Sequence, residues 1–182
     1  MSIAYIHPTA LVETGQIGED TKIWAFAHLM AEVFVGQDCN IGDHAFIESG
    51  VTVGNGVTIK NNVMLWKGVH IADYVFVGPG VVFTNDRRPR SPRMPAMKDL
   101  ALKESDWLVE TYIEEGASIG ANATIVGGVT LGQYCMIGAG SVVTKDVEAF
   151  TLVLGNPAKA VGCVNELGER VDVRGDGNVP RI

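Results

Sequence analysis

From Leu11 onward every sixth residue is aliphatic: Ile17, Ile23, Leu29, Val35, Ile41, Ile47, Val53, Ile59, Leu65, Ile71 and Val77, with Phe83 closing the run. A second series keeps step four residues later. It reads Thr21, Ala27, Val33, Cys39, Ala45, Val51, Val57, Val63, Val69, Val75 and Val81, all small or β-branched. If about a quarter of positions were Ile, Leu or Val, the first series would arise about once in ten million trials, so the spacing is not chance. A period of six matches neither an α-helix nor the alternation of a half-buried strand. It fits a short strand and a turn, with one large and one small side chain directed inward per unit. Three units make a triangular coil of about 18 residues, in which residues i and i+18 stack about 4.8 Å apart. The predicted fold is all-β, a parallel solenoid whose sheets are buried on the inner side and closed at the ends. Glycine often follows the large residue, as at Gly18, Gly36, Gly42 and Gly54, where it is expected to take the unusual dihedrals of the turn.

The pattern breaks after Phe83 and returns near Trp107. It continues through Ile113, Ile119, Ile125, Leu131, Ile137 and Val143, with Ala117, Ala123, Val129, Cys135 and Ser141 in the small position. Pro89, Pro92 and Pro95 interrupt the intervening segment, so its first half is not expected to form a regular helix. The same segment gathers Arg87, Arg88, Arg90, Arg93, Lys98 and Lys103, six of the chain's 14 basic residues. A long loop in a strict solenoid is usually functional, and positive charge on an acidic protein points to an anionic ligand such as a diphosphate or coenzyme A. An ordinary solvated loop is the alternative. After Asn156-Pro157 the repeat ends, and VGCVNELGERVDV reads as a hairpin around Glu166–Gly168 that closes the open end of the prism. The chain divides into a solenoid over 1–160, with a loop insertion at about 84–106, and a capping hairpin with tail over 161–182. The final RGDGNVPRI reads as frayed, and its Arg-Gly-Asp tripeptide as accidental.

Composition narrows the class. Hydrophobic residues make up 47% but aromatic ones only 7%, with 22 glycines, which suits thin repeated layers better than a helical bundle. The net charge of -7 argues against general nucleic-acid binding. Cys39, Cys135 and Cys163 make no CxxC pair and read as reduced structural thiols. No apolar run approaches the roughly 20 residues of a membrane span, and the start does not read as a signal peptide, so a soluble cytoplasmic protein with no membrane partner is expected.

Four histidines are present, His7, His28, His44 and His70, and no pair has the tight spacing of a metal site. A zinc enzyme of the same fold, such as a γ-type carbonic anhydrase, is therefore disfavoured, and no metal is expected. CNIGDHAFIESG puts His44 and Glu48 on one rung. By the 18-residue stacking Asn62 lies above His44, and Trp66 and Thr84 lie above Glu48. Lys60, Asn61 and Asn62 add a polar patch. Each occupies an outward position, where simple solvation is the competing explanation. The expectation is that His44, Glu48, Asn62, Trp66 and Asn85 converge near one edge.

The segments IWAFAHLM, CNIGDHAFIES, VTIKNNVMLWKGV, VFVGPGVVFTNDRRPRS, GASIGANATIVGGVTLG and VTKDV…LVLGNPAK resemble the hexapeptide-repeat N-acetyltransferases of nucleotide-linked 3-amino sugars. The likeness runs from about His7 to Lys159, and FTND-x-x-PRS together with GNPAK is its specific part. It implies a left-handed parallel β-helix, whereas the general rule for parallel crossovers gives right-handed coils. It further implies a homotrimer with sites in the clefts between prisms, acetyl-coenzyme A along the C-terminal coils, and a nucleotide sugar near the projecting loop. Carried over by motif, Asn85 sits beside the acceptor amine and Arg90 helps shape the nucleotide-sugar site; Glu48, Lys60, Asn62 and Trp66, brought forward by the stacking, are the further candidates for substrate binding. Backbone groups around Ala121, Gly127, Gly138 and Ala139 meet the pantetheine arm, and Lys145 and Lys159 meet the coenzyme phosphates.

A sugar amine with a pKa near the roughly 8 of an α-amino group is partly neutral at pH 7 and needs no strong base to attack a thioester. Asn85 can only orient it. The proton goes either to His44, tuned by Glu48, or to the leaving thiolate. FIES and LW-x-G are closer to enzymes of dTDP-linked 3-amino-3,6-dideoxyhexoses than to those of UDP-linked 2-acetamido-3-amino uronates in surface-polysaccharide synthesis. A hexapeptide O-acetyltransferase is the enzymatic rival, weakened because no histidine follows Lys98. A non-catalytic β-helix scaffold is the other rival, and it has no need of the basic loop.

Overall fold

The computed structural model describes residues 3–98, 100 and 103–171. Short strands, mostly of two residues, stack into three sheets of ten, seven and five strands, the faces of a triangular prism. The chain visits them in turn: Lys22–Ile23 on the first face, His28–Leu29 on the second, Phe34–Val35 on the third, then Asn40–Ile41 on the first again. Pairing is parallel and follows the period, with Ile23 opposite Ile41, Leu29 opposite Ile47 and Val35 opposite Val53. The backbone bonds run between coils, as in Lys22 N–H to Cys39 C=O (2.8 Å) and Trp24 N–H to Ile41 C=O (2.9 Å). A two-residue strand suffices because its partners lie in the coils above and below.

Both inward series form one continuous core. Ile23, Leu29, Val35, Ile41 and Ile47 have no exposed surface, and the small residues Ala27, Val33 and Val51 fill the space between them. Each large side chain buried this way contributes roughly 1.5–3 kcal/mol. Three polar residues in the small position keep their hydroxyls satisfied, Thr111 Oγ1 accepting from Gly128 N–H at 3.0 Å. Thr21 Oγ1 donates to the Gly36 carbonyl at 2.8 Å, and Ser141 Oγ accepts from Gly155 N–H at 3.1 Å.

The glycines after the large residues are there for a different reason from the one expected. Gly36, Gly42 and Gly54 do not have positive φ. A Cβ at Gly36 would stand 2.6 Å from the Gly54 carbonyl oxygen, so glycine lets successive coils approach. The left-handed residue comes two positions later and recurs every six: Asp20, Phe26, Glu32, Asp38, His44, Gly50, Gly56 and Asn62 all have φ between 54° and 85°.

The winding is regular in the middle and shortened at the ends. Val12, not Leu11, sits opposite Leu29, and Leu11 is 55% exposed, so the first coil is one residue short. At the other end Val147 bridges Leu131 and Val153 pairs with Ile137, so the last coil is two residues short. Between them the loop is a pure insertion. Ile71 pairs directly with Ile113 and Val77 with Ile119, and the coils stack as if the loop were absent. Inside the loop, Pro95–Lys98 makes one turn of helix with proline at its first position, and Glu104–Asp106 makes a 3-10 turn.

Thr151–Leu154 turns back as an antiparallel hairpin onto Lys159–Val164, which in turn pairs with Arg170–Val171. This double reversal covers the last coil and buries Leu152, Val153 and Val164. The Arg-Gly-Asp tripeptide lies outside the described residues. Among those described, no helix is long and apolar enough to cross a membrane.

Candidate active site

Where the chain leaves the second face for the third, Glu48, Trp66 and Thr84 stack in successive coils, as the Phe46–Met64–Val82 register requires. Asn85 follows at the root of the loop, and all four are half-buried. The Trp66 ring leans on Phe46, with centroids 5.5 Å apart. Lys67 ties the corner together. Its N–H donates to Oε2 of Glu48 at 2.8 Å, and its carbonyl accepts from Nδ2 of Asn85 at 3.1 Å. Its ammonium meets Glu104 of the loop at 2.8 Å, and that carboxylate raises the Lys67 pKa above the ordinary lysine value.

The Asn85 main chain anchors the loop. Its carbonyl accepts from Val109 N–H at 3.0 Å, and next to it Arg87 N–H donates to the Trp107 carbonyl at 3.1 Å. With Nδ2 engaged, Oδ1 is the Asn85 atom left to accept a hydrogen bond from a ligand. Beyond it the loop encloses a hollow of about 400 Å³ lined by Asp86, Arg88, Arg90, Met97, Leu100 and Trp107. Arg90 Nη1 donates to the Pro89 carbonyl at 2.8 Å. Among the described residues none of the loop's six basic side chains is in an ion pair, and Asp86 lines the same hollow as Arg88 and Arg90.

His44, Lys60 and Asn62 occupy a different corner, between the first and second faces, and all three are exposed. His44 stacks on Phe26 at 5.0 Å. The single edge expected for His44, Glu48, Asn62, Trp66 and Asn85 is therefore two edges in the folded chain. His44 precedes the strand Phe46–Ile47 and Glu48 follows it, so a full face separates them. Within one copy Glu48 makes no contact with His44 and instead accepts from Lys67 N–H.

The same division runs through the residues expected to meet coenzyme A. Ala121, Gly138 and Ala139 continue the His44 corner toward the C-terminal end, and Gly127 and Lys145 continue the Asn85 corner. Gly127 N–H donates to Thr84 Oγ1 at 2.9 Å, and Gly138 N–H donates to the Val153 carbonyl at 2.9 Å, so neither is free for a ligand. Ala121 and Ala139 differ: their N–H groups have no partner among the described residues. They lie in adjacent coils, linked by Gly140 N–H to the Ala121 carbonyl at 2.9 Å. Two free donors beside methyl side chains suit a slender ligand with its own carbonyls, which is the chemistry of a pantetheine arm. Lys145 lines a cleft of about 500 Å³ between the last coil and the hairpin, together with Thr144, Glu148, Ala158 and Cys163, and Lys159 is exposed on the hairpin strand.

Sequence reasoning passed over Lys67, whose main chain holds the site together, and Glu104, which reaches it from the loop. Lys67 was within reach of the repeat, since it stands one coil before Asn85. Glu104 was not, because the insertion has no period from which to place it.

Comparison with known proteins agrees with this architecture. Residues 50–85 and 110–145 match the family described as bacterial transferase hexapeptide (six repeats), and residues 32–67 match the hexapeptide repeat of succinyl-transferase. A dTDP-3-amino-3,6-dideoxy-alpha-D-galactopyranose 3-N-acetyltransferase of Aneurinibacillus thermoaerophilus is 48% identical over 88% of this chain and 78% of its own. A galactoside O-acetyltransferase of Lactococcus lactis is 31% identical, over 54% of this chain and 44% of its own. Among solved structures, a hexapeptide-repeat acetyltransferase of Vibrio cholerae complexed with acetyl coenzyme A superposes with a TM-score of 0.61 at 26% identity, covering 71% of this chain and 69% of that one. With a 48% identical relative matched over most of both lengths, the chain belongs to the hexapeptide-repeat N-acetyltransferases of nucleotide-linked 3-amino sugars.

Proposed function

We infer that the protein transfers an acyl group, most simply acetyl, from coenzyme A to the 3-amino group of a dTDP-linked 3-amino-3,6-dideoxyhexose in cytoplasmic synthesis of surface-polysaccharide sugars. What carries the reading is the 48% identical relative of that activity, matched across the solenoid and the loop. The loop arginines, none of them in an ion pair among the described residues, suit a nucleoside diphosphate, and the free N–H groups of Ala121 and Ala139 suit the pantetheine arm.

The chemistry asks little of the protein beyond placement. The neutral amine attacks the thioester carbonyl carbon, the carbonyl oxygen takes the negative charge, and the C–S bond then breaks to release the coenzyme thiolate. Asn85 Oδ1 accepts an N–H of the amine, which leaves the nitrogen lone pair free for the thioester. Backbone N–H groups stabilise the oxyanion. The ammonium proton goes either to the departing thiolate or to His44 of the facing copy, whose corner meets Asn85 in the trimer proposed below; Glu48 is already engaged by Lys67 N–H.

Donor and acceptor groups on separate corners meet most directly in a cleft between copies. We propose a homotrimer in which the Asn85 corner of one copy faces the Ala121–Ala139 corner of another. Thiol release from acetyl-coenzyme A, followed with purified protein and a panel of dTDP- and UDP-linked 3-amino sugars, tests the reading. Turnover only with simple hydroxyl acceptors would move the protein to the O-acetyltransferases, and no turnover with any acceptor would leave a scaffold. Asn85→Ala is expected to lower kcat by about 10²-fold with an unchanged oligomer, as does loss of other positioned polar groups at a reacting centre. An unaltered rate would remove Asn85 from the site.

A further inference from the structure

Stitches from a side chain to a main-chain N–H of the neighbouring coil recur at the corners. Asn55 Oδ1 accepts from Gln37 N–H (3.1 Å), Asp73 Oδ1 from Asn55 N–H (2.7 Å) and Glu114 Oε2 from Gln133 N–H (3.0 Å). Glu48 makes the same stitch to Lys67 N–H at 2.8 Å, but there the stitched residue offers its carbonyl to Nδ2 of Asn85 at 3.1 Å. Glu48 and Asn85 thus grip Lys67 from opposite sides, one coil below and one coil above.

An asparagine amide has two ends of opposite hydrogen-bonding sense. If Nδ2 turns toward the acceptor, it donates to the amine lone pair and ties up the electrons that must attack. If Oδ1 faces the acceptor, it takes an amine N–H and the lone pair stays available. The grip on Lys67 selects the second orientation. Resting on the acyl-transfer reading above, we propose that Glu48 is a positioning residue: by fixing Lys67 it holds Nδ2 of Asn85 away from the substrate and presents Oδ1 to the acceptor amine. Glu48 acts as a hydrogen-bond acceptor there, and its negative charge is not what matters.

The two obvious variants separate this role from others. Glu48→Gln keeps a side-chain carbonyl able to accept from Lys67 N–H, and Glu48→Ala leaves that N–H without a partner. Glu48→Ala is expected to lose about tenfold in kcat with the KM for acetyl-coenzyme A unchanged, and Glu48→Gln to keep about half the activity with an unshifted pH–rate profile. Equal losses in both variants would make the carboxylate a charge contact or a base, and full activity in both would leave the stitch with no catalytic consequence. Either result overturns the proposal. Crystal structures of the two variants give a readout independent of turnover. Asn85 Nδ2 released from the Lys67 carbonyl in Glu48→Ala but retained in Glu48→Gln supports it, and an unmoved Asn85 in both overturns it. If the unaltered protein acylates no nucleotide amino sugar, the functional reading falls, while these structures still decide whether Glu48 positions Asn85.

Discussion

At the scale of single residues, each position in the hexad has one job set by its surroundings. Cys39 and Cys135 fill small inward sites, 2% and 0% exposed. Burial pushes both thiols up, Cys135 to about 12, because the low-dielectric interior disfavours the thiolate. Cys163 is half-buried at the rim of the C-terminal cleft. Since the thiolate is the reactive form, iodoacetamide at pH 8 is expected to label Cys163 in the folded protein and all three cysteines only in denaturant. Mass spectrometry of the peptides reads the outcome, and rapid labelling of Cys135 in the native state would contradict its placement. The left-handed position shows a similar division of labour. Asp20, Asp38 and Asn62 tolerate it through their short polar side chains, whereas Phe26 and His44 occupy it as a stacked pair.

At the scale of elements, the loop is joined to the prism by few bonds, and these concentrate at Asn85. The main-chain pairing beside it and the Lys67–Glu104 ion pair fasten the loop base. That pair is exposed on both sides, 44% and 49%, so solvent screening leaves it weak, shifting an opening equilibrium by up to about fivefold. Because Glu104 raises the Lys67 pKa, the contribution is present at neutral pH and is lost on the alkaline side as pH climbs through that raised value. Glu104→Gln is expected to speed tryptic cleavage after Arg87, Arg90, Arg93 and Lys98 by up to about fivefold, sites that the substitution leaves unchanged. An unchanged cleavage rate would show that the pair holds nothing shut. The basic loop, legible as a break in the repeat, is fastened at Asn85, which the 18-residue stacking reaches, and at Glu104, which no periodicity announces.

At the scale of the whole molecule, the separation of the two corners makes a prediction about assembly. If each site combines the Asn85 corner of one copy with the Ala121–Ala139 corner of the next, two differently damaged chains complement each other. Asn85→Ala and Ala139→Trp, each inactive alone, are expected to recover about a quarter of wild-type activity when mixed equally and reassembled, the fraction of random interfaces pairing two intact corners. Sites confined within one copy would stay inactive in every mixture, and a monomer by light scattering would end the trimer proposal outright.

The sequence by itself determined the winding. Six-residue spacing of large and small apolar side chains buries both series when three units close one coil, and that stacking places Ile23 under Ile41 and Trp66 under Thr84. Periodicity sees which residues stack, but not how a coil ends or which corner a side chain turns around. Only the tertiary structure therefore decided that Val12 replaces Leu11 in the first coil, that His44 and Asn85 stand a face apart in one copy, and that Thr151–Leu154 and Lys159–Val164 form a hairpin ahead of the expected one. Those features depend on local insertions, deletions and side-chain hydrogen bonds. Such bonds form between residues that become neighbours only after the backbone has wound.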